Sequence, residues 1–156
     1  MTTITPTPVR ARANDIETFT VSLQLLDAST FRVDFDEPGI ASLTTDEPSP
    51  LGLANGPSPS RLLAAAVTNC LAASLLHCLR RARVPVEGME ASAVTTIARN
   101  ESGRLRIERI SVLLDPRIPA DHAERLSRCQ TLFEDYCTVT ASVRDGIDVR
   151  VALASN

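Results

Sequence analysis

The amino-acid sequence predicts an α+β fold, and three features of its apolar pattern lead to this prediction. Alternating segments come in two pairs, a long apolar run lies between the pairs, and an amphipathic helix with a final alternating segment follows them. Strict alternation is typical of strands, and apolar residues at three- and four-residue spacing indicate helices. The 156 residues are predicted to form a single domain, residues 1–156, with a flexible N-terminal segment at residues 1–15.

The first alternating pair predicts a β-hairpin. Residues 16–26 and residues 30–35 each alternate, with a turn between them, and Leu43 extends a further short strand. The side chains expected on the inner face of the first strand are Phe19, Val21, Leu23 and Leu25. Residues 46–59 are rich in Pro, Gly and Ser and predict an ordered loop, because both flanks are apolar. This loop is expected to bring three residues towards the following helix: Asp46, Glu47 and Arg61.

The run at residues 56–83 is the longest apolar segment, and the rest of the chain is organised around it. Pro57 and Pro59 suit the start of a helix, and Pro85 ends it. Cys70 falls on an apolar face of this helix. We expect burial on more than one side, and a helix too short and too interrupted by polar residues to span a bilayer. Taken alone, the run favours a core helix with incidental cysteines, since free Cys is among the most buried residue types.

The second alternating pair, residues 90–99 and 104–114, predicts another hairpin whose alternation changes phase near Arg109. Residues 119–136 have helical spacing and predict a second helix with Asp121 as its N-cap. The expected inner side of this helix consists of Ala123, Leu126, Cys129, Leu132, Phe133 and Tyr136.

The C-terminal part of the chain begins with Cys137, at the end of the second helix. Residues 138–143 are expected to form a short helical turn or extended chain, and Gly146 breaks it. Residues 147–153 alternate again and predict a last strand.

Composition excludes several classes of function. A net charge of −3 with mixed signs argues against a nucleic-acid partner and against binding to a membrane surface. All sixteen basic residues are arginine, so Schiff-base chemistry and a P-loop lysine are excluded. The N-terminus lacks the apolar segment of a signal peptide, so we expect a cytoplasmic protein. Its four cysteines are then expected to be thiols, metal ligands or transient redox partners rather than structural disulfides.

The cysteine spacing limits what the sulfurs can do. Cys70 and Cys78 lie eight residues apart on one helix, about 12 Å along its axis, which is too far for a disulfide. The same holds for Cys129 and Cys137 if the second helix reaches Cys137, so any disulfide must join the two helices. Structural zinc prefers ligand pairs two to four residues apart, and neither cysteine pair has that spacing. His122 lies at a helix start and looks exposed, which argues against a Cys–His hydrolase.

Thiol redox chemistry remains. It needs one stabilised thiolate and a second cysteine within reach, and Cys70 with Cys137 fits this requirement best. A nearby arginine would lower the pKa of Cys70. The candidates are Arg61 on the same helix, Arg32 and Arg144.

Two separated motifs contain the two candidate redox cysteines. The first is GPSPSRLLAAAVTNCLAASLLHCLRRARVPVEG, which contains Cys70. The second is CTVTASVRDGIDVRV, which begins at Cys137, 67 residues after Cys70 (137 − 70). Together they resemble the OsmC/Ohr family of thiol-dependent hydroperoxide reductases, and the resemblance covers the chain from about residue 21 to residue 153.

The resemblance implies an OsmC-like fold, with antiparallel sheets wrapped around a long central buried helix in an intertwined homodimer. It also implies a peroxidase of the oxidative stress response, with redox-active cysteines at a site between subunits. Cys70 would attack an organic hydroperoxide or hydrogen peroxide, and Cys137 would resolve the sulfenate as a disulfide. An external thiol reductant would restore the thiols, with no metal and no organic cofactor.

The sequence departs from the family pattern at the activating carboxylate. The family glutamate ten residues before the reactive cysteine is Ser60 here, with Arg61 beside it, and Glu47 is a candidate to replace it from the loop. Thr138 follows the second cysteine, where many relatives have proline. Cys78 and Cys129 are additional, either as core residues or as a second redox pair.

Two other classes of function stay open. One is a non-enzymatic dimeric binding protein for an apolar ligand, and the other is a thiol–disulfide regulator of partner proteins.

Overall fold

The computed structural model describes residues 14–153 of the chain. The predicted flexible segment, residues 1–15, lies almost entirely outside these residues. The chain divides into two compact units, Met1–Ser58 and Pro59–Asn156, and each is described by itself. The single-domain organisation of residues 1–156 stays a prediction.

The first unit contains a three-stranded antiparallel sheet in the order β1–β2–β3. The strands are β1 (Ser22–Asp27), β2 (Thr30–Asp34) and β3 (Leu43–Thr45). The predicted hairpin and the short strand at Leu43 are confirmed, although β1 begins six residues later than the alternation does (22 − 16).

The expected inner face of β1 is exposed. Leu23 and Leu25 expose 59% and 56% of their surface, and Phe19, before the strand, exposes 78%. The prediction of a half-buried strand is therefore wrong for these side chains. Alternation predicts an apolar face, but it says nothing about whether the same chain supplies a layer to cover that face.

A buried carboxylate organises the loop that follows β3. Asp46 is 2% exposed and accepts hydrogen bonds from the Ser29 hydroxyl at 2.8 Å and from the backbone N–H of Glu47 at 2.8 Å. The backbone N–H groups of Leu53 and Asn55 donate to its second oxygen at 3.0 and 3.1 Å. Burial alone would raise the pKa of Asp46, but these hydrogen bonds favour the ionised form and lower the pKa to about 2. The prediction of an ordered loop is confirmed.

The second unit begins with α1 (Pro59–Arg81), which confirms the predicted helix and its start at a proline. Its buried residues recur every four positions as a single stripe: Val67, Leu71, Leu75 and Leu79. The expectation of burial on more than one side is wrong, because positions such as Ala73 and His77 on the opposite side are exposed.

The length of α1 corrects one further expectation. At 23 residues, and with a hydropathy of 1.8 over its most apolar window, α1 could cross a membrane by length and composition alone. The argument that it is too short is therefore wrong. The buried stripe packs in a common core with residues from Val84 to Cys137, which is typical of the core helix of a globular unit.

A long antiparallel hairpin follows, formed by β4 (Gly88–Arg99) and β5 (Leu105–Arg117). Thr96 faces Arg109 while Ile97 faces Ile107, so Glu108 is an extra residue that forms a bulge. The phase shift predicted near Arg109 is confirmed as this bulge. The hairpin packs against α1.

The predicted second helix, residues 119–136, is broken into three pieces. A 3-10 turn at Ala120–His122 leads into α2 (Ala123–Gln130), and a second 3-10 turn occupies Phe133–Tyr136. Asp121 does not cap the helix, because the cap positions belong to Pro119 and His122 and neither makes a side-chain cap bond. The predicted N-cap is therefore wrong.

A side-chain hydroxyl explains where α2 ends. The Thr131 hydroxyl donates to the Arg128 carbonyl at 2.8 Å, and the backbone N–H of Leu132 bonds to the Cys129 carbonyl at 3.0 Å. In an α-helix the Leu132 N–H would bond to the Arg128 carbonyl, four residues back. Here the Thr131 hydroxyl takes that carbonyl and the Leu132 N–H bonds three residues back, which gives a tighter turn. Of the predicted inner side, Cys129 and Phe133 are buried and Leu126 is half-buried, whereas Leu132 and Tyr136 are exposed.

The chain then forms α3 (Thr138–Asp145) and ends it at Gly146, whose φ is +78°. The last strand predicted at residues 147–153 is wrong for this chain. Within the described residues this segment pairs with no strand, and Ile147 and Leu153 are 63% and 91% exposed. An alternating segment becomes a strand only when a neighbouring strand satisfies its backbone, and here the hairpin does not supply one.

Candidate thiol site

The second unit brings together the two cysteines that the sequence singles out. Cys70 lies on α1 and is half-buried, and Cys137 is fully buried at 0% exposure. Cys137 is the N-cap residue of α3, directly after the 3-10 turn at Phe133–Tyr136. Because both the turn and α3 pack against α1, this residue is held against the central helix.

The two thiols lie close together near the start of α3. Each of them shifts the pKa of the other, which places both sulfurs at one site. The Cys137 thiol donates a hydrogen bond to the Thr140 hydroxyl at 3.0 Å. Both cysteines are free in this structure.

The surroundings shift the pKa values of the two thiols in opposite directions. Burial raises the pKa of Cys70, and so does its interaction with Cys137. Burial also acts to raise the pKa of Cys137, but its interactions with Cys70, Thr140 and Ser74 leave this pKa below its usual value. Sequence reasoning expected a lowered pKa at Cys70, whereas the pKa of Cys70 is raised and that of Cys137 is lowered. The role of Cys70 as the attacking thiolate stays a prediction.

Two of the residues predicted to assist the thiols belong to the first unit. The Arg32 guanidinium donates hydrogen bonds to the Asp34 carboxylate on β2 at 3.0 Å and to the Gln24 side-chain carbonyl on β1 at 2.9 Å. Glu47 is half-buried, and its backbone N–H bonds to Asp46. Their roles at the thiols stay predictions.

Two further arginines lie in the second unit. Arg61 is exposed in the first turn of α1, nine residues before Cys70, which is about 14 Å along the helix axis. Arg144 on α3 forms an ion pair with Glu134 at 2.6 Å. The groups that bond to the thiols in this structure are hydroxyls and backbone N–H groups, which the sequence did not indicate.

A cleft of about 590 Å³ lies within the second unit, and neither cysteine is among the residues that line it. Its apolar walls come from the α1 stripe and from β5, with Leu71, Leu75 and Val112 among them, and Arg109 and Glu134 add charge. Thr140 also lines the cleft, so the hydroxyl that bonds Cys137 forms part of its wall. The cleft is large enough for an apolar molecule with a polar end.

The other two cysteines form a disulfide. Cys78 on α1 is bonded to Cys129 on α2, with the Cα atoms 5.8 Å apart. The prediction that a disulfide must join the two helices is confirmed, and the interpretation of these residues as unbonded core cysteines is wrong. The expectation of thiols rather than disulfides is likewise wrong for this pair.

A signal for this disulfide was present in the sequence. Cys70 and Cys78 are eight residues apart, and so are Cys129 and Cys137. If the two segments run antiparallel and Cys70 meets Cys137, the equal spacing places Cys78 opposite Cys129. Within residues 14–153, no cluster of three His, Cys, Asp or Glu side chains is arranged to hold a metal ion.

Comparisons with known proteins agree with this architecture. The sequence profile described as "OsmC-like protein" matches residues 52–152, more than half of the chain. No curated protein sequence matches the chain. An OsmC-like protein of unknown function from Vibrio cholerae superimposes with a TM-score of 0.70 at 16% identity, covering 81% of this chain and 94% of that one.

Two further structures are similar in fold. An organic hydroperoxide resistance protein from Legionella pneumophila, also described as a predicted redox protein, gives a TM-score of 0.62 at 14% identity, with coverage of 88% and 96%. The organic hydroperoxide resistance protein OhrB of Bacillus subtilis gives 0.58 at 19% identity, with coverage of 87% and 97%. At these identities the likeness concerns the fold, while the profile match identifies the family: the chain belongs to the OsmC-like proteins.

Proposed function

We propose that the protein is a thiol peroxidase that reduces organic hydroperoxides through Cys70 and Cys137. The observation that carries the proposal is that two free thiols lie close together in a unit whose apolar cleft is lined by Thr140, the hydrogen-bond partner of Cys137. The hydroperoxide resistance proteins among the similar folds are consistent with this chemistry.

The greater exposure of Cys70 favours this residue as the one that attacks the hydroperoxide. A hydroperoxide must reach the attacking sulfur, and Cys70 is half-buried whereas Cys137 is fully enclosed. Once the coupled pair has lost one of its two protons, Cys70 attacks as a thiolate when the remaining proton resides on Cys137. The Cys70 sulfur bonds to one peroxide oxygen, the O–O bond breaks, and the alkoxide takes up a proton and leaves as an alcohol. Cys70 is then a sulfenic acid.

The acidity of Cys137 suits the second step. Its thiolate attacks the Cys70 sulfur, the S–S bond forms, and the hydroxyl leaves as water after taking up a proton. Because the pKa of Cys137 is lowered, more of this residue is available as thiolate for the attack than at its usual pKa. An external dithiol reduces the disulfide and is itself oxidised. The steps need no metal and no organic cofactor.

The assembly and the assisting residues belong to the same proposal. A homodimer is supported by exposed apolar side chains on the hairpin, such as Val94 at 73% and Leu113 at 68%. Arg61, Arg32 and Glu47 remain candidates for stabilising the Cys70 thiolate. A Glu47→Ala variant with unchanged turnover would remove Glu47 from the proposal.

Stopped-flow oxidation with cumene hydroperoxide tests the mechanism. Cys70→Ser is expected to abolish peroxide consumption. Cys137→Ser is expected to consume one equivalent and to leave a sulfenic acid on Cys70, which dimedone traps and mass spectrometry locates. Ala73→Ser, at an exposed position of the same helix, is the matched control and should react as the wild type does. Wild-type peroxide consumption by Cys70→Ser would end the proposal.

The cleft favours a second candidate, a non-enzymatic binding protein for an apolar ligand. Thiols that react with neither iodoacetamide nor hydroperoxide in the folded protein, together with binding of a fatty acid, would favour this function over the first.

A further inference from the structure

The Cys78–Cys129 disulfide has no part in the peroxide chemistry proposed above. Its position on α1 is eight residues from Cys70, about 12 Å along the axis, so its sulfurs do not exchange with the thiol pair while the helix is intact. It nevertheless joins the same two parts of the second unit, because Cys129 and Cys137 lie on one continuous segment. The disulfide therefore acts on the site through the position of that segment.

Apart from the disulfide, α2 is attached to the end of α1 by the contacts of two side chains. An eight-residue helix such as α2 is marginal by itself, and its position depends on tertiary contacts. The Arg125 guanidinium donates to the Ala82 carbonyl at 3.2 Å, and Leu126 packs half-buried against the core. The disulfide is the covalent attachment of α2 to α1.

Between the disulfide and the site there is a short linker. Residues 130–136 connect Cys129 to Cys137, and the buried Phe133 is their contribution to the core. Phe133 belongs to the 3-10 turn that packs against α1 and ends directly before Cys137, so a displacement of α2 that moves this turn also moves Cys137. The resolving thiol is thus placed by α3 on one side and by the tethered linker on the other.

We propose that the Cys78–Cys129 disulfide is a positioning element for Cys137, which keeps this thiol close enough to capture the Cys70 sulfenic acid before a second hydroperoxide does. The proposal rests on the function proposed above. We call the Cys78–Cys129 disulfide the tether. Without it, attack by Cys137 on the Cys70 sulfenic acid slows, and a second hydroperoxide converts the sulfenic acid to sulfinic acid, releasing another alcohol. The tether therefore protects the enzyme against irreversible oxidation.

Reduction of the tether has the same effect as its removal. A dithiol breaks the Cys78–Cys129 bond by exchange, leaving two thiols and an oxidised dithiol. The protein with all four thiols reduced is accordingly expected to lose Cys70 to sulfinic acid more readily than the protein that keeps the tether.

Rapid-quench kinetics on Cys78→Ser/Cys129→Ser test the proposal. After one equivalent of cumene hydroperoxide, mass spectrometry follows the Cys70 sulfenic acid and the Cys70–Cys137 disulfide. We expect the first oxidation to stay within about twofold of the wild-type rate and disulfide formation to slow at least tenfold. With excess hydroperoxide, the sulfinic fraction should rise by a similar factor. The split between the two steps is a readout that general destabilisation would not produce.

Arg128→Ala is the matched control, since it removes an exposed pair with Glu124 on α2 and leaves the disulfide intact. It is expected to resolve the sulfenic acid at the wild-type rate. If the double variant does not fold, fully reduced wild type is compared with wild type that retains the tether, each freed of reductant before peroxide is added. Slower resolution in the fully reduced form supports the proposal.

Equal resolution rates with and without the tether would overturn the positioning role and leave the peroxidase function standing. If the wild type that retains the disulfide forms neither a Cys70 sulfenic acid nor a Cys70–Cys137 disulfide, the function itself fails. The two failures are therefore distinguishable in one set of samples.

Discussion

Reducing the Cys78–Cys129 disulfide is expected to lower the free energy of unfolding by a predictable amount. The bond links residues separated by 51 positions, and the cross-link restricts the unfolded chain over that loop. In the chain-entropy description, a loop of this length removes about 14 cal/mol/K, which corresponds to about 4 kcal/mol at 25 °C. This is a large share of the roughly 5–15 kcal/mol that stabilises a typical domain.

The effect is measured in a background that lacks the other cysteine pair, Cys70→Ser/Cys137→Ser, so that one disulfide alone responds to reductant. Urea unfolding is followed by circular dichroism with and without a phosphine reductant, at one fixed protein concentration because an assembly would shift the transition. The expected loss of about 4 kcal/mol corresponds to a fall in Tm of about 8–16 °C for a chain of this size.

The matched control adds Cys78→Ser/Cys129→Ser to the same background and should be insensitive to reductant. A reductant-dependent change below about 1 kcal/mol, with intact-mass data showing that the bond is present, would refute the loop-closure reasoning. Two free thiols in the air-oxidised protein would refute the disulfide itself.

Two further predictions concern the cores of the two units. Asp46, whose pKa falls from 3.8 to about 2 on folding, contributes stability that is complete above pH 3.8 and is lost as pH falls towards 2. Asp46→Asn should remove this part of the acid dependence of the urea midpoint, and an unchanged profile would contradict its role. Leu79→Ala, at 0% exposure, should cost about 2–5 kcal/mol in urea unfolding. Leu132→Ala, at 51% exposure, should cost less than about 1 kcal/mol, and equal losses would contradict the burial difference.

The regular elements were predictable because their signals are local. The alternation on either side of Gly103 fixed the second hairpin, and a single phase change was enough to locate the bulge at Glu108. Pro59 and the apolar spacing behind it fixed the start and direction of α1. Each of these signals acts within a few residues, where backbone sterics dominate.

Other features depend on groups that are distant in sequence or on competition between weak bonds. The end of α2 follows from the Thr131 hydroxyl bonding the Arg128 carbonyl, a choice that helix propensity does not reveal. The carboxylate of Asp46 is satisfied by residues up to 17 positions away, so its burial could not be expected from its neighbours. The segment at 147–153 has the pattern of a strand without a partner in this chain.

The pairing of the two cysteines was predictable from the sequence, but the groups that shift their pKa values were not. Spacing and reach selected Cys70 with Cys137, and the structure brings these two together. The pKa of Cys137 is lowered by Cys70, Thr140 and Ser74, and the last two partners could be recognised only once the positions of α3 and α1 around Cys137 were known. An arginine was expected in this role because charge is easier to recognise in a sequence than a helix end.

The equal eight-residue intervals have a mechanical consequence. Cys78 and Cys129 are covalently joined, so a movement of residues 129–137 along α1 that would separate the thiols also strains this bond. The disulfide therefore opposes sliding of the segment at the thiol pair, two helical turns away along α1.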